Sequence, residues 1–328
     1  MGGRSPAGRV DRVIEVPQAL AASQLRYNGT AGRAFVAALP RRAARFLDRW
    51  ELRLDGPSMH GVTALVLPVR RADNTPAVLK LQLLDEESAG EPLALRAWAG
   101  GGAVRLLDHD RATGTLLLER LDHTRMLSHL PDTREAALVI ARLLARLTAV
   151  AAPEGVRRLG DVAADMLERV PGALRRIPDP SDRRLVEDCA AAVREVVTEP
   201  GDRLLHWDLH YDNVLRGLHH DDVHDDVRDA DGHDCDRVAG RAPWVAIDPK
   251  PLAGDPGFEL CPALCNRFEP GEILRRFDAM TDVMGLERAR ARAWTLGRVL
   301  QNTLWEIEVG RPLEPVRLEV ARRLREVS

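Results

Sequence analysis

The hydrophobic period of this 328-residue chain changes near residue 50 and again near residue 121, and the order of these changes restricts the folds available to it. Between Trp50 and Leu121, short β-rich segments are separated by turn-forming clusters such as "DGPSMHG" and "RRADNTP", a pattern typical of strands. Beyond Leu121, apolar residues recur at spacings of three and four, which indicates helices. The order predicts an α+β fold with a five-stranded N-terminal sheet lobe, residues 1–120, and a larger helical C-terminal lobe, residues 121–328.

Individual elements follow from the same patterns. The segment "AGRAFVAALPRRAARFLDRW" predicts two short leading helices interrupted at Pro40, and residues before about 15 are expected to be frayed. One helix is predicted after the third strand, in "DEESAGEPLALRAWAG". In the second half, "NVL" and "WVAID" are predicted strands, and helices are predicted at 133–150, 159–176, 181–197, 257–265, 270–284, 286–309 and 312–327.

Composition narrows the class of protein. The chain has 47 basic and 50 acidic residues, a net charge of -3, which argues against a general nucleic-acid binder. Four cysteines form no C-x-x-C pair, and no apolar leader or 18-residue apolar run is present, so we expect neither a disulfide scaffold nor a membrane partner. A cytoplasmic monomer is the expectation.

Residues 217–240 contain eight aspartates and four histidines with almost no apolar content. The favoured interpretation is a solvated, flexible insertion. A divalent metal bound by this segment is the alternative.

Lys80 lies among apolar residues in "AVLKLQ", where burying its charge would require an anionic partner. Taken alone, the lysine favours an edge or outward-facing position. The helix predicted just after it offers three glutamates, among them Glu86, that could orient a lysine toward phosphates. Glu91 is favoured because apolar residues four and seven positions later would turn its helix face inward, and Glu87 is the runner-up.

Two other N-terminal segments are candidates for nucleotide contacts. Gly56 and Gly61 flank a loop that could present backbone N–H groups to phosphates, although two glycines between strands usually form only a hairpin turn. The strand "LLLERL" could offer Glu119 and Leu121 to an adenine edge, or be an ordinary core strand.

The segment "LLHWDLHYDNVL" contains the pattern His206-x-Asp208-x-x-x-x-Asn213, and the later strand "WVAID" ends in Asp248. Phosphoryl transfer needs a carboxylate that accepts a hydroxyl proton, oxygen ligands for Mg²⁺ and a cation on the phosphates. Asp208, Asn213 with Asp248, and Lys80 supply these groups, and their order along the chain is the strongest functional signal in the sequence.

A different chemistry is conceivable for the same segment. His206, Asp208, His210 and Asp212 alternate, and could bind a hydrolytic metal ion if the segment were an extended strand. We disfavour this interpretation, because it leaves Lys80 unexplained and because the next strand is better placed at "NVL".

From about residue 25 to its end, the chain resembles the aminoglycoside phosphotransferases, relatives of protein kinases with the same two-lobed fold. "HWDLHYDNVLR" is similar to their H-x-D-x-x-x-x-N catalytic loop, and "WVAIDPK" resembles their variant of the metal-binding D-F-G segment. More narrowly, "AVLKLQ", "LRAW", "LLLERLD" and "AIDPKPLAGDPGFEL" resemble the streptomycin 6-kinase and hydroxyurea kinase branch.

The resemblance implies ATP and Mg²⁺ as cofactors and assigns roles residue by residue. Asp208 would be the catalytic base, Asn213 and Asp248 the magnesium ligands, and Lys80 the phosphate lysine with Glu91 as its partner. His206 would support the catalytic loop through hydrogen bonds, with His210 packed beside it, and Glu259 in "DPGFEL" would brace the loop.

Two departures from the family pattern stand out. The Asp- and His-rich insertion lengthens the interval between Asn213 and Asp248, and Pro249 and Lys250 replace the phenylalanine and glycine of D-F-G.

The resemblance also suggests an acceptor, the 6-hydroxyl of the streptidine ring of streptomycin, with antibiotic inactivation as the consequence. Asn302 and Glu306 share a helix face flanked by Trp305, and could hold a guanidinium group against an indole ring. The alternative is a solvated helix end with Trp305 in the core. Other functions left open are a kinase for hydroxyurea or another metabolite and a non-catalytic pseudokinase, which the intact residue set opposes.

Overall fold

The computed structural model describes residues 14–218 and 243–326, and these form two compact units. The first comprises the described residues up to Asp85 together with Leu106–Arg120, and the second comprises Glu86–Arg105 and the described residues from Leu121 onward. The first unit ends at Arg120, whereas residues 86–105, expected in the N-terminal lobe, belong to the second unit. The division into lobes 1–120 and 121–328 stays a prediction. The predicted frayed start and nearly all of the insertion at 217–240 lie outside the described residues.

The first unit is an antiparallel sheet with a long helix. Its strands pair in the order β1-β3-β4-β6-β5 within the described residues, with β2 also paired to β3. The five predicted strands are therefore present, and β2 is an additional short strand within the segment predicted to be a turn. The elements are α1 (Gln18–Arg49), β1 (Arg53–Leu54), β2 (Met59–His60), β3 (Ala64–Arg70), β4 (Pro76–Gln82), β5 (Leu106–Asp110) and β6 (Thr115–Glu119).

Helix α1 differs from the prediction of two helices separated at Pro40. Pro40 lies inside α1, and the backbone instead leaves helical geometry at Gly29, with φ 51° and ψ -125°. Glycine has no Cβ and so adopts a positive φ at little steric cost, which explains why the break occurs there. Beyond it, Phe35, Leu39 and Phe46 share one helix face and form the core with apolar residues of β3 and β4.

The second unit is mainly helical and contains two small sheets, β11-β10-β7 and β8-β12-β9. Short 3-10 helices occur at Leu127–His129, Tyr211–Asn213, Pro256–Glu259 and Pro270–Glu272. The main elements are α2 (Glu91–Trp98), β7 (Leu121–Met126), α3 (Thr133–Leu147), β8 (Arg157–Arg158), α4 (Leu159–Leu174), α5 (Pro180–Val196), β9 (Arg203–Leu205), β10 (Val214–Gly217), β11 (Trp244–Ala246), β12 (Leu252–Gly254), α6 (Leu260–Cys265), α7 (Ile273–Met284), α8 (Arg288–Glu308) and α9 (Pro315–Arg325).

Helix starts in this unit are determined by local chemistry that the sequence displays. Asp132 accepts hydrogen bonds from the N–H groups of Arg134 and Glu135 at the start of α3. Asp179 caps α5 in the same way, and Pro180 occupies the first turn, where a missing N–H costs nothing. The predicted helices therefore match α3 to α9 to within a few residues at each end.

Four strands of the second unit were not predicted: β7, β8, β9 and β12. Strand β7 has six residues and pairs with the distant β10. The other three have two or three residues each, and β8 and β9 both pair with β12, which lies far from either along the chain. A two- or three-residue strand has too few residues to display a period, so long-range pairing decides it. Within the described residues, no helix combines the length and apolar character needed to cross a bilayer.

Gly201, just before β9, should be intolerant of a side chain. Its φ is +79°, and a Cβ there would lie 2.8 Å from the backbone of Gly254 and Asp255. We expect Gly201→Ala to destabilise the protein by more than the roughly 1–2 kcal/mol of left-handed strain alone, because β9 and β12 would have to separate. Gly310→Ala is the matched control, since Gly310 has φ +68° but nothing within 4 Å of its Cβ position. Urea denaturation of both variants tests this, and equal losses would contradict it.

Candidate active site

The candidate catalytic segment, residues 206–213, lies in the second unit between β9 and β10. The carbonyl oxygen of Asp208 accepts hydrogen bonds from the N–H of His210, at 3.0 Å, and from the side-chain amide of Asn213, at 2.9 Å. Two of the residues singled out from the sequence, Asp208 and Asn213, are therefore directly joined.

Strand pairing brings Asp248 to the same place. β10 and β11 are antiparallel with Val214 opposite Ala246, and the N–H of Ile247 donates to the carbonyl of Asn213 at 2.9 Å. Asp248 follows immediately, so the two proposed magnesium ligands lie on adjoining backbone segments although they are far apart in the chain. Asp248 has a φ of 61°, a conformation that an aspartate rarely adopts and that often marks a functional site.

His206 ties the two segments together from within the core. Its carbonyl accepts the N–H of Lys250 at 3.0 Å, and its ring Nε2 lies 3.0 Å from the carbonyl of Ile247. Burial lowers the pKa of His206 to about 4, so the ring is neutral at pH 7. Because a carbonyl only accepts, the neutral ring carries its proton on Nε2.

Trp207 has a φ of 68°, and its backbone is held on both sides. Its N–H donates to Glu259 Oε1 at 2.8 Å, and its carbonyl accepts from Arg298 Nη2 at 3.0 Å. The indole ring packs edge-on against Phe258, and the guanidinium carbons of Arg298 and Arg157 lie 5.2 Å and 4.5 Å from the ring centroid. These contacts stabilise a strained residue immediately before Asp208.

Glu259 is fully buried, and burial is the main cause that raises its pKa to about 7, against the opposing effect of the Trp207 N–H. Its Oε2 has no hydrogen-bond partner in the part of the chain that the structure describes. The carboxyl proposed to brace the loop thus makes its contact through one oxygen.

Asp208 lies in a charged environment. Burial, the largest single cause, would raise its pKa, but the charges of Lys250, His210 and Arg298 and the hydrogen bond with Lys250 together hold the pKa of Asp208 below its ordinary value. Lys250 Nζ lies 3.2 Å from Asp208 Oδ2 and 3.6 Å from Glu87 Oε2. Asp208 is therefore ionised at neutral pH, as a proton acceptor must be.

Asn213 and Asp248 fit a magnesium ion. The amide nitrogen of Asn213 is used as a donor to Asp208, which leaves its Oδ1 as the accepting atom of the side chain. An amide oxygen and a carboxylate are hard ligands, and Mg²⁺ bound with nucleotide phosphates uses only one or two protein side chains. Their role as ligands stays a prediction.

The hydrolytic alternative gains no support from the geometry. Within residues 14–218 and 243–326, no three or more His, Cys, Asp or Glu side chains are arranged to hold a metal ion. His210 and Asp212 lie 3.8 Å apart, but the ring of His206 is directed at the Ile247 carbonyl, and Tyr211–Asn213 is helical instead of extended.

In the first unit, Lys80 lies in the interior of the sheet. β4 is flanked by β3 and β6, with Val66 and Leu116 opposite the lysine, and Lys80 is only 6% exposed. An edge or outward-facing position, which the lysine alone favoured, is therefore wrong. Burying a lysine requires specific partners, and the contact of Lys80 with phosphates stays a prediction.

The three candidate glutamates near α2 differ in position and in burial. Glu91 is the first residue of α2 and is buried, together with Leu95 and Trp98 on the same face, as expected. Glu86 and Glu87 precede the helix instead of lying within it, and Glu87 is half exposed near Lys250. The pairing of Lys80 with Glu91 stays a prediction.

The loop containing Gly56 and Gly61 includes strand β2, and Gly61 donates to the carbonyl of Ala64 at 3.0 Å in the turn to β3. A hairpin is present, but its turn lies at residues 61–64, after the strand β2 that the predicted turn segment contains. A Cβ at Gly61 would meet nothing within 4 Å, and one at Gly56 would make ordinary contact with Pro68. Neither glycine is required by the local backbone, and contact with phosphates stays a prediction.

Glu119 and Leu121 lie on successive strands. Glu119 ends β6 opposite Ala77, and Leu121 begins β7 opposite Gly217. The strand interpretation is confirmed, whereas contact with adenine remains a prediction.

The proposed guanidinium site on α8 is not assembled as expected. Glu306 is buried, and its oxygens accept from Arg317 and from the N–H of Glu314, at 3.1 Å for the latter. Trp305 is 39% exposed and is stacked by Arg311, while Asn302 is half-buried. Glu306 therefore fastens the start of α9, and neither the clamp nor a core position for Trp305 describes this helix end.

Sequence reasoning missed Arg298 and the direct contact of Lys250 with Asp208. Arg298 is buried on α8 between two apolar neighbours, and its guanidinium also donates to Gln301 at 2.6 Å. The available signal in the sequence was an arginine among apolar residues on a predicted helix, because a charge that is buried there requires specific partners.

The fold is that of protein-kinase-like proteins. A solved macrolide 2'-phosphotransferase from Brachybacterium faecium shares this fold, with a TM-score of 0.54 at 18% identity, covering 88% of this chain and 98% of that one. The family profile "Aminoglycoside/hydroxyurea antibiotic resistance kinase" matches residues 49–310. The chain belongs to this family.

Two curated relatives align over nearly the whole chain. A hydroxyurea phosphotransferase of Kitasatospora aureofaciens is 60% identical over 97% of this chain and 88% of the relative. A streptomycin 6-kinase of Streptomyces glaucescens is 50% identical over 96% of this chain and 98% of the relative.

The raised pKa of Glu259 predicts a pH dependence of stability. The folded protein keeps this proton up to about pH 7, whereas an ordinary carboxyl loses it near 4.5, so the unfolding free energy should fall as the pH rises through that window. Linkage puts the loss at about 3 kcal/mol. In Glu259→Gln the side chain cannot ionise, and this part of the decline should disappear.

Urea denaturation at both ends of the window measures the effect. His206 contributes in the opposite direction between pH 4 and 6.5, but it does so in the wild type and in the variant alike. Glu199→Gln, at an exposed position, is the control. An unchanged decline in Glu259→Gln would show that Glu259 is ionised in the folded protein.

Proposed function

We propose that this enzyme transfers the γ-phosphoryl group of ATP, with Mg²⁺, to the 6-hydroxyl of the streptidine ring of streptomycin. The observation that carries the proposal is the backbone pairing of residues 206–213 with residues 247–250, which brings the ionised Asp208 close to the two residues proposed to bind magnesium. A cytoplasmic location and a monomeric state are part of the same proposal.

In this mechanism Asp208 orients the acceptor hydroxyl and takes its proton. The hydroxyl oxygen forms a bond to the γ-phosphorus, and the bond from phosphorus to the β,γ-bridging oxygen breaks, its electron pair leaving with ADP. Bound Mg²⁺ would neutralise charge on the phosphates, and Asn213 and Asp248 would hold it. Lys80, with Glu91 as partner, is the proposed phosphate cation of the first unit.

Glu259 and Arg298 act on Asp208 through Trp207 in this scheme. By holding both sides of Trp207, they fix the backbone direction at which Asp208 enters the site. Positioning of this kind is worth a large share of the rate enhancement in phosphoryl transfer, because the chemistry needs alignment more than covalent assistance.

Streptomycin is the leading acceptor because streptomycin 6-kinases from two Streptomyces species match at 50% and 48% identity over at least 97% of their length. Hydroxyurea is the second candidate, favoured by the hydroxyurea phosphotransferase at 60% identity. Both acceptors present a hydroxyl group to the base, so the contacts of Asp208 suit either one.

The test is ADP release from Mg·ATP with streptomycin, with hydroxyurea and with neither. Streptomycin-dependent turnover with a phosphorylated product supports the proposal. Turnover with hydroxyurea alone would retain the phosphotransferase and replace the acceptor. Nucleotide binding without turnover on either compound would contradict the proposal and favour a pseudokinase or an untested acceptor.

Asp208→Asn should lower kcat by about 10²-fold or more, because the amide cannot accept the hydroxyl proton. Asp212→Asn is the matched control: it is a neighbouring loop aspartate whose side chain is 58% exposed. We expect the control to retain nearly all activity. An active Asp208→Asn enzyme would remove Asp208 from the role of base.

Asp248→Asn should raise the Mg²⁺ concentration needed for half-maximal rate by about tenfold or more, because one anionic ligand is lost. Titration of the rate with MgCl₂ at fixed ATP measures this. The same titration on Asp282→Asn, which alters an aspartate near the end of α7, should give the wild-type curve. Identical curves for all three proteins would exclude Asp248 as a ligand.

A further inference from the structure

Lys250 is the feature that the roles above leave unexplained. It replaces the glycine of the D-F-G pattern, and its ammonium group lies between two carboxylates, 3.2 Å from Asp208 and 3.6 Å from Glu87. An ordinary surface ion pair next to a catalytic base would contribute little to stability and would compete with the substrate for that base.

The rarity of lysine in this chain independently indicates a specific role for Lys250. Of the 47 basic residues, 45 are arginine, and only Lys80 and Lys250 are lysine. A lysine differs from an arginine in being a compact point charge on a flexible stem, well suited to following a phosphoryl group. Its two occurrences are the buried cation of β4 and the residue in contact with Asp208.

We propose that Lys250 is a catalytic residue that contacts the oxygens of the phosphoryl group during transfer, leaving Asp208 free for the acceptor hydroxyl. This inference rests on the proposed function. Lys250 would be the second lysine in the reaction besides Lys80, and it would contact the phosphoryl group that is transferred.

Distances support this assignment. The base must lie about 2.6–3.2 Å from the acceptor hydroxyl, and that oxygen must approach the phosphorus to about 3–3.5 Å before reaction. A cation 3.2 Å from the same carboxylate therefore lies close to where the phosphoryl group would be transferred. Lys250 is 40% exposed, so its stem has room to move.

The backbone of Lys250 is fixed while its side chain is not. Its N–H donates to the His206 carbonyl, and prolines precede and follow it, which restricts the backbone. Pro251 packs on Gly90, where a Cβ would come within 2.8 Å of the proline ring. Beyond it, Leu252 pairs with Leu205 in the sheet. The backbone from which the lysine side chain extends is thus held at a constant position beside the base.

In the reaction Lys250 forms and breaks no covalent bond. The acceptor oxygen bonds to phosphorus, ADP leaves with the bridging oxygen, and the hydroxyl proton moves to Asp208. Lys250 exchanges one anion, Asp208, for another, the phosphoryl oxygens, and so stabilises the charge that the transition state carries.

The variant Lys250→Met removes the charge while keeping a similar length. We expect kcat at saturating ATP and acceptor to fall by about 10²-fold or more, with ADP affinity changed by less than about threefold. Lys250→Arg should recover part of the lost rate. Arg169→Met is the matched control, because Arg169 is 37% exposed and also lies between two carboxylates, Asp165 and Glu308, but on α4. It should keep the wild-type kcat.

A binding measurement separates contact with phosphate from an effect through Asp208. Mg·ADP with aluminium fluoride imitates the phosphoryl group in transfer, and calorimetry without any acceptor gives its affinity. Lys250→Met should weaken this complex by about tenfold or more relative to Mg·ADP alone. A lower kcat with an unchanged aluminium fluoride complex would mean that Lys250 only positions Asp208, and the proposal would be wrong.

The experiments distinguish a wrong proposed function from a wrong role for Lys250. A wild-type enzyme inert toward streptomycin and hydroxyurea would overturn the proposed function, while the aluminium fluoride measurement would still decide the contact of Lys250. An active wild type with a fully active Lys250→Met would overturn only the role of Lys250.

Discussion

Hydrogen bonds that hold residues 206–213 against residues 247–250 are the interaction on which the candidate site depends. One runs from Ile247 to Asn213, and His206 makes two more through its carbonyl and its neutral ring. Without them, Asp208 and Asp248 would lie on separate segments with no common geometry. Because most of these contacts use the backbone, the site geometry is set by strand pairing, and the side chains are left for chemistry.

The site is built at the expense of local stability. Trp207 and Asp248 both adopt left-handed conformations, and Glu259 is buried with a single hydrogen bond in the described part of the chain. Such features cost free energy and persist only where surrounding contacts determine them. Here the surrounding contacts come from Arg298, Phe258 and the edge-to-face packing of Phe258 on Trp294. The helical unit thus works as a support for one strained loop.

Family membership and the contacts of the site answer different questions. The match over residues 49–310 defines the chemistry as phosphotransfer, and the charge of Asp208 agrees with it. Neither decides the acceptor, because streptomycin and hydroxyurea kinases within one family would present the same base to a hydroxyl. The discriminating contacts must involve side chains other than Glu306, whose carboxylate is already used inside the protein.

The sequence by itself determined the α+β order, the five strands, most helix positions and the residues of the candidate catalytic segment. These properties are local: hydrophobic period, capping residues such as Asp132 and Asp179, and the short spacing from Asp208 to Asn213 are all visible in a few consecutive residues. Only the tertiary structure decided the strands β7, β8, β9 and β12 and the buried interior position of Lys80. It alone also decided the hydrogen bond from Arg298 to Trp207 and the contact of Lys250 with Asp208. Each of these joins residues distant in the chain, and their energies come from pairing and burial that no single segment can display.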